Sequence, residues 1–199
     1  MGNISFKERV KNIAVDCSIK YRDNLCNYEY LVISEAFTDK YCIIRAEADN
    51  YMHLIGVSSQ LSAQEFYQKC IDSTLTENDF DFNKNKQSEK SVKGSVREKI
   101  VALPSFCDMF TKADLRCQQD FSKGKVKCSF ASASDKFTIG FVQEGRPKSL
   151  MKNNQLNNNT SQPIIAVVRK DKGTSNFTEV VLGSIKGYEY ILKDINSES

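Results

Sequence analysis

The strongest constraint on the fold is an alternation of apolar and polar residues through KVKCSFASASDKFTIGF, residues 125–141. Successive side chains of a β-strand lie on opposite faces, so this pattern predicts a β-hairpin whose two strands have matched apolar faces. A four-residue turn, Ser132–Asp135, would place Ser129 opposite Thr138. The apolar faces would consist of Val126, Cys128 and Phe130 on one strand and Phe137, Ile139 and Phe141 on the other.

The opposite face of this predicted hairpin carries ammonium and hydroxyl groups. Its members are Lys125, Lys127, Ser129, Lys136 and Thr138, and Arg146-Pro147-Lys148 adds cations just beyond the hairpin. Such a surface could follow a phosphate backbone. It could equally be the solvated face of a two-layer sheet, and the pattern alone leaves both interpretations open.

Three helices are predicted before the hairpin. Ser5 with Glu8, and Ser62 with Glu65, have the spacing of a capping box, and each pair precedes residues with helical apolar spacing. The third helix has its apolar residues between Val92 and Leu103, and Pro104 is expected to end it.

Four further segments have the composition of strands: YEYLVIS, KYCIIRAEA, IIAVVRK and TEVVLGS. An Asn-rich stretch at 152–162 is predicted to be a surface loop. The order of helices and strands predicts an α+β fold in which N-terminal helices pack on a twisted, largely antiparallel sheet. The 199 residues suit one domain, with an N-terminal helix in 1–27, a core in 28–183 and a C-terminal segment in 184–199.

Composition excludes several classes of function. The chain has one histidine and no Cys-x-x-Cys pair, so a zinc or iron site would lack ligands, and no Gly-rich loop resembles a nucleotide-binding motif. We therefore expect neither a metal nor a cofactor. Seven irregularly spaced cysteines predict reduced thiols and a cytoplasmic protein, and no segment has the length and hydrophobicity of a membrane span. A net charge of +3 is too small to indicate nucleic acid except through a local patch.

His53 is the chain's only histidine, so acid–base chemistry that needs an imidazole near neutral pH must use it. It follows a predicted strand, and Gly56 would permit a tight turn there; alternatively, His53 is simply packed at the strand end. Arg45 lies eight residues upstream and could hold a phosphate with two parallel hydrogen bonds, or it could pair with Glu47.

The segment NYMHLIGV resembles the fourth phage-type family of BECR nucleases, together with YCIIRAEA before it and SAQEFYQKC, KVKCSFA and GRPKSL after it. This family groups with barnase, EndoU, the tRNA-cleaving colicins and RelE. The resemblance extends over roughly residues 28–170. Its central motif, aromatic-x-His-Leu-x-Gly, is matched at Tyr51, His53, Leu54 and Gly56.

The resemblance implies a domain that binds RNA on its sheet and cleaves it without a metal. It implies His53 as base or acid, Arg45 and Arg146 as charge stabilisers, and Ser129 and Thr138 as hydroxyls that position the phosphate. Tyr51, Lys127 and Lys148 are the expected substrate-binding side chains. EndoU-like enzymes use two histidines, so here the second proton-transfer group would be one of these three, or the reaction would depend on cations.

Three functions remain open at this point. The first is an RNA-cleaving toxin or effector of a phage or mobile element, acting in the cytoplasm of a bacterial host on RNA such as tRNA and controlled by a cognate antitoxin. The second is a non-enzymatic inhibitor or anti-defence protein that binds a host defence protein or a nucleotide-like ligand on the same scaffold. The third is a protein that handles nucleotides or ADP-ribose.

Overall fold

A computed structural model describes residues 4–84, 86–111 and 114–197. Five α-helices occur in this part of the chain: α1 (Phe6–Tyr21), α2 (Asn50–Ile55), α3 (Ala63–Ile71), α4 (Glu89–Cys107) and α5 (Glu189–Ser197). A π-helical turn, Arg22–Cys26, extends α1, and short 3₁₀ turns occupy Glu77–Asp79 and Met109–Thr111.

The strands are short and fall into three groups. They are β1 (Tyr28–Ile33), β2 (Tyr41–Arg45), β3 (Arg116–Gln119), β4 (Ser122–Lys123), β5 (Val126–Lys127), β6 (Phe130–Ala133), β7 (Phe137–Phe141), β8 (Pro147–Lys152), β9 (Gln162–Pro163), β10 (Ala166–Asp171) and β11 (Glu179–Gly183).

Two larger sheets form the framework, and their strands pair antiparallel throughout. The first has the order β11-β10-β1-β2 and the second the order β8-β7-β6-β3-β9, while β4 and β5 form a small separate hairpin. The predicted α+β class is therefore confirmed, with the strands divided between two sheets.

The main core lies between the helices and one face of each sheet. Side chains of α1, α3 and α4 meet Tyr30 and Val32 of β1 and the aromatic residues of β7 there. The other face of the first sheet is not left to solvent, because Ile191 of α5 packs against Leu31 and Val168. In the second sheet, β6 and β7 are buried on both faces, because Ala131 and Ala133 of β6 pack in a smaller cluster with Phe121 and Leu156.

The helix starts agree with the capping signals in the sequence. The Ser5 side chain accepts a hydrogen bond from the Glu8 amide at 2.8 Å, and Ser62 and Glu65 form a complete capping box. The predicted end of the third helix at Pro104 is wrong, because α4 continues to Cys107. A proline removes one backbone hydrogen bond, and here burial of Phe106 and Cys107 in the core holds the last turn in place.

The predicted register of the late hairpin is also wrong. Phe130 pairs with Phe141, and Ala133 pairs with Thr138, so the register differs by four residues from the expected pairing of Ser129 with Thr138. The expected long first strand breaks before β6, because Cys128 and Ser129 lie outside the ladder. Every residue of β6 and β7 is buried, so the polar face expected for this hairpin does not exist.

No helix in the described part of the chain combines the length and apolar character that crossing a bilayer demands. All seven cysteines are free thiols, and five of them are buried: Cys17, Cys70, Cys107, Cys117 and Cys128.

Candidate functional site

A turn between β7 and β8, residues 142–146, separates two surface cavities. Val142, Glu144 and Arg146 line one cavity, and Gln143 lines the other. The turn is fixed to the edge of the first sheet, since the Arg45 amide donates to the Gly145 carbonyl at 3.0 Å. Gly145 is required at this junction, because its φ is +80° and a Cβ would lie 1.9 Å from the Ile43 carbonyl oxygen.

His53 is an exposed residue of the short helix α2, and not of a turn after a strand as the sequence indicated. Gly56 ends this helix in the left-handed conformation, with φ +89°. The Lys99 ammonium donates to the His53 carbonyl at 2.9 Å and so binds one of the free carbonyls at the end of α2. The lysine side chain also covers Gly56, where a Cβ would lie 2.8 Å from Lys99 Cδ.

The cavity beside His53 brings together groups with opposite charges. It has a volume of about 400 Å³, and His53, Arg146 and Lys148 line it together with Glu144 and Asn50. Three of the residues expected to act on RNA therefore face one cavity. We call it the His53 cavity.

The pKa of His53 is lowered below the ordinary value for histidine. Partial burial is the main cause, and the positive charges of Lys99 and Lys84 act in the same direction, while a hydrogen bond to the backbone of Lys148 opposes them. At neutral pH the imidazole is therefore held mainly in its uncharged form. An uncharged imidazole can accept a proton, as a general base must.

Arg146 forms an ion pair with Asp49, the residue just before α2. The hydrogen bond to this carboxylate raises the pKa of Arg146, so the guanidinium stays charged. Its Nε is buried and has no hydrogen-bond partner among the described residues. Such a buried donor costs about 1–3 kcal/mol unless a water or a ligand oxygen satisfies it.

Arg45 and Ser129 do not line the His53 cavity. They line the second one, of about 500 Å³, together with Phe37, Asp39, Gln119 and Asp120. We call it the Arg45 cavity. Arg45 pairs with Glu29, its cross-strand neighbour on β1, through Nε at 3.2 Å, whereas Glu47 pairs with Lys172. The resemblance implied that Arg45 and His53 act together on one phosphate, but the two side chains line different cavities, and the turn at 142–146 lies between them.

Two further expected site residues lie in the core. Thr138 is fully buried, and its hydroxyl donates to the Asn153 carbonyl and accepts from the Gln155 amide, both at 2.8 Å. It therefore anchors the start of the Asn-rich segment and cannot reach a substrate. Tyr51 is also fully buried, because it lies on the side of α2 opposite His53 and donates from its hydroxyl to the Ala14 carbonyl at 2.7 Å.

Lys127 of β5 and Lys148 of β8 are both exposed, and their strands belong to different sheets. The Lys148 ammonium donates to the Lys127 carbonyl at 2.8 Å, which holds the Lys148 side chain in a defined position. Only Lys148 of the two lines the His53 cavity. It is consequently the better placed of the two as a second proton-transfer group.

Sequence reasoning missed four groups around His53: Asp49, Lys84, Lys99 and Glu144. The spacing between Lys99 and His53 is 46 residues, so no local pattern connects them. Local cues existed for Glu144 and Asp49, because they stand two residues before Arg146 and four before His53, which the sequence did single out. In the residues that the structure describes, no group of three His, Cys, Asp or Glu side chains is arranged to hold a metal ion.

A family model described as phage-Barnase-EndoU-ColicinE5/D-RelE like nuclease 4 matches residues 13–190, which is most of the chain. The match extends beyond the region in which the sequence motifs were noted and includes both cavities. Neither the curated proteins nor the solved structures gave a match.

Proposed function

The chain belongs to the phage-Barnase-EndoU-ColicinE5/D-RelE like nuclease 4 family and carries a nuclease-like domain, and from this premise we propose that it is an endoribonuclease that cleaves RNA without a metal ion. The observation that supports this proposal most is the position of His53. The only imidazole of the chain is exposed and lines one cavity with two cations, Arg146 and Lys148.

The reaction needs a base, a charge stabiliser and an acid. Uncharged His53 takes the proton of a ribose 2′-hydroxyl, and the oxygen attacks the adjacent phosphorus. Arg146 lines the same cavity and stays charged, so it stabilises the extra negative charge on the phosphate. The bond to the 5′-oxygen breaks, Lys148 gives that oxygen a proton, and a 2′,3′-cyclic phosphate and a 5′-hydroxyl result.

Cleavage of labelled tRNA and of total RNA in the presence of EDTA tests this proposal. We expect the wild type to cut RNA with chelator present, and His53→Gln to lose at least about 100-fold in rate, as is usual for the loss of a general base. Lys148→Ala should lose a comparable amount, with RNA binding weakened less than cleavage. The products should carry the cyclic phosphate.

Lys186→Ala is the matched control for Lys148→Ala, because Lys186 is an exposed cation near the C-terminal end that lines neither cavity. It should cleave at the wild-type rate. RNA that stays intact at high protein concentration would overturn the proposal, as would cleavage that His53→Gln does not slow.

With this activity we propose a toxin or effector that a phage or mobile element encodes. It would act on host RNA in the bacterial cytoplasm, and a cognate antitoxin would inhibit it. Its competitor is a protein that binds a host defence factor and cleaves nothing. A stable complex with such a factor that survives His53→Gln, together with intact RNA, would favour the competitor.

A further inference from the structure

We propose that the Arg45 cavity binds a nucleobase that carries an exocyclic amino group, namely adenine, cytosine or guanine but not uracil. The inference extends the proposed function, since the base would belong to a nucleotide next to the phosphate in the His53 cavity. It changes the expected roles of Arg45 and Ser129 from acting on the phosphate to recognising the neighbouring nucleotide.

The charges of this cavity argue against a phosphate as its occupant. Asp39 and Asp120 both line it, and among the described residues neither carboxylate has a hydrogen-bond or ion-pair partner. Arg45 is the only cation that lines it within the described ranges, so the two carboxylates outnumber it. Two unpaired carboxylates repel a phosphate but accept hydrogen bonds from amino groups.

The remaining walls suit a flat aromatic ligand. Phe37 and Phe130 line the cavity and meet edge to face, with their ring centroids 5.7 Å apart. Phe130 in turn stacks on Phe141 at 4.8 Å, so this wall is rigid. Both rings are buried, so they give the cavity an apolar floor for a base, and a volume of about 500 Å³ is in the range of small-ligand sites.

A fixed amide provides a donor beside the two carboxylates. The Gln119 side-chain oxygen accepts from the Thr38 amide at 2.8 Å and from the Thr38 hydroxyl at 3.3 Å. With the oxygen used in this way, the amide nitrogen is left as a hydrogen-bond donor. Adenine, cytosine and guanine each offer an amino donor beside an acceptor, whereas uracil offers only its N3–H between two carbonyl oxygens, which the carboxylates repel.

The position of the cavity places this base next to the proposed reaction centre. Consecutive residues of one turn line the two cavities, Gln143 the Arg45 cavity and Glu144 the His53 cavity. Because the Gly145 carbonyl is bonded to the Arg45 amide, the spacing between the cavities is fixed by the backbone. An RNA strand that crosses the turn would therefore occupy both.

Titration of the wild type with AMP, CMP, GMP and UMP, followed by NMR at fixed salt concentration, tests the proposal without any need for cleavage. We expect UMP to bind about tenfold more weakly than the other three, as suits the loss of a good base contact. Asp120→Gly should bring the four affinities close together. Asp120 has φ +52°, so glycine fits its backbone and the variant should fold.

Two variants serve as controls. Ser73→Gly makes the same kind of backbone change at φ +57°, and Asp16→Asn removes one exposed carboxylate from α1; both should keep the preference. Equal binding of all four nucleotides by the wild type would overturn the proposal, as would a preference that persists in both Asp120→Gly and Asp39→Asn. A base preference without RNA cleavage would support this cavity and contradict the nuclease, whereas cleavage without the preference would contradict only the cavity.

Discussion

Lys99 and Gly56 together determine the environment of His53. Gly56 gives α2 its left-handed end and leaves room for the Lys99 side chain, whose ammonium bonds the His53 carbonyl. Burial lowers the pKa of Lys99 to about 8, with a smaller contribution from Lys84. Near neutral pH the ammonium is therefore still mainly charged, and its charge disfavours a second one on the imidazole.

Lys99→Met should raise the pKa of His53. The substitution removes a nearby positive charge and keeps most of the aliphatic chain, so the charged imidazole becomes less unfavourable. Because His53 is the chain's only histidine, one imidazole signal in an NMR titration reports this pKa without assignment. If His53 acts as a base, the acidic limb of the cleavage rate should move to higher pH by the same amount.

Lys93→Met is the control, because Lys93 is on the same helix but pairs with Glu89 and lies over the Phe82 ring. It should leave the His53 signal unchanged. An imidazole pKa that falls or stays constant in Lys99→Met would show that Lys99 acts on α2 only as a packing residue.

At the scale of elements, the sequence predicted helix starts best, because these depend only on residues within the same element. The capping residues Ser5 and Ser62 placed the starts of α1 and α3, because a cap depends on residues a few positions away. The register of β6 and β7 could not be predicted in this way. Both faces of these strands are buried, so the alternation of apolar and polar residues does not indicate which residues pair. Thr138 was misassigned for this reason.

The turn between β7 and β8 is the element on which both cavities depend, and Gly145→Ala should destabilise it strongly. An alanine Cβ would overlap the Ile43 carbonyl oxygen, which lies in the edge strand β2 and can move only if the strand moves. Together with the cost of φ +80°, we expect about 3 kcal/mol or more in the free energy of unfolding, measured with urea.

Gly187→Ala separates the steric effect from the backbone effect. Gly187 has a similar φ of +86°, and a Cβ there would meet nothing within 4 Å. It should cost about 1 kcal/mol, which is the price of the left-handed conformation alone. Similar losses in the two variants would mean that the contact of the turn with β2 contributes little.

At the scale of the whole molecule, the composition of the candidate site could not be predicted, because its parts come from distant segments. His53, Lys99 and Arg146 belong to α2, α4 and the turn before β8, and only the packing of α2 and α4 against β8 brings them together. The family motif identified His53 itself, since that signal is local. It also included Tyr51, whose place in the motif reflects the core and not the cavity.

The buried thiols should make the protein lose stability in mildly alkaline solution. Burial raises the pKa of Cys70 to about 12 and that of Cys117 to about 11. Above pH 9 the unfolded chain releases these protons and the folded chain keeps them, so the free energy of unfolding falls, with a limiting slope of about 1.4 kcal/mol per thiol and pH unit. Lys99 opposes this loss of stability. Because its pKa is lowered, the folded chain releases the Lys99 proton at a lower pH than the unfolded chain does, and its contribution to the free energy of unfolding rises with pH.

Comparison of the wild type with Cys70→Ala isolates one thiol from these opposing contributions. Cys70 is fully buried in the main core, so alanine should lower stability at pH 7 through the lost packing. Between pH 9 and 10, however, the variant should lose about 1 kcal/mol less than the wild type, because it no longer has that proton to retain. Urea unfolding at pH 7, 9 and 10 under reducing conditions measures both effects, and parallel curves would mean that the Cys70 thiol ionises as readily in the folded chain as in the unfolded one.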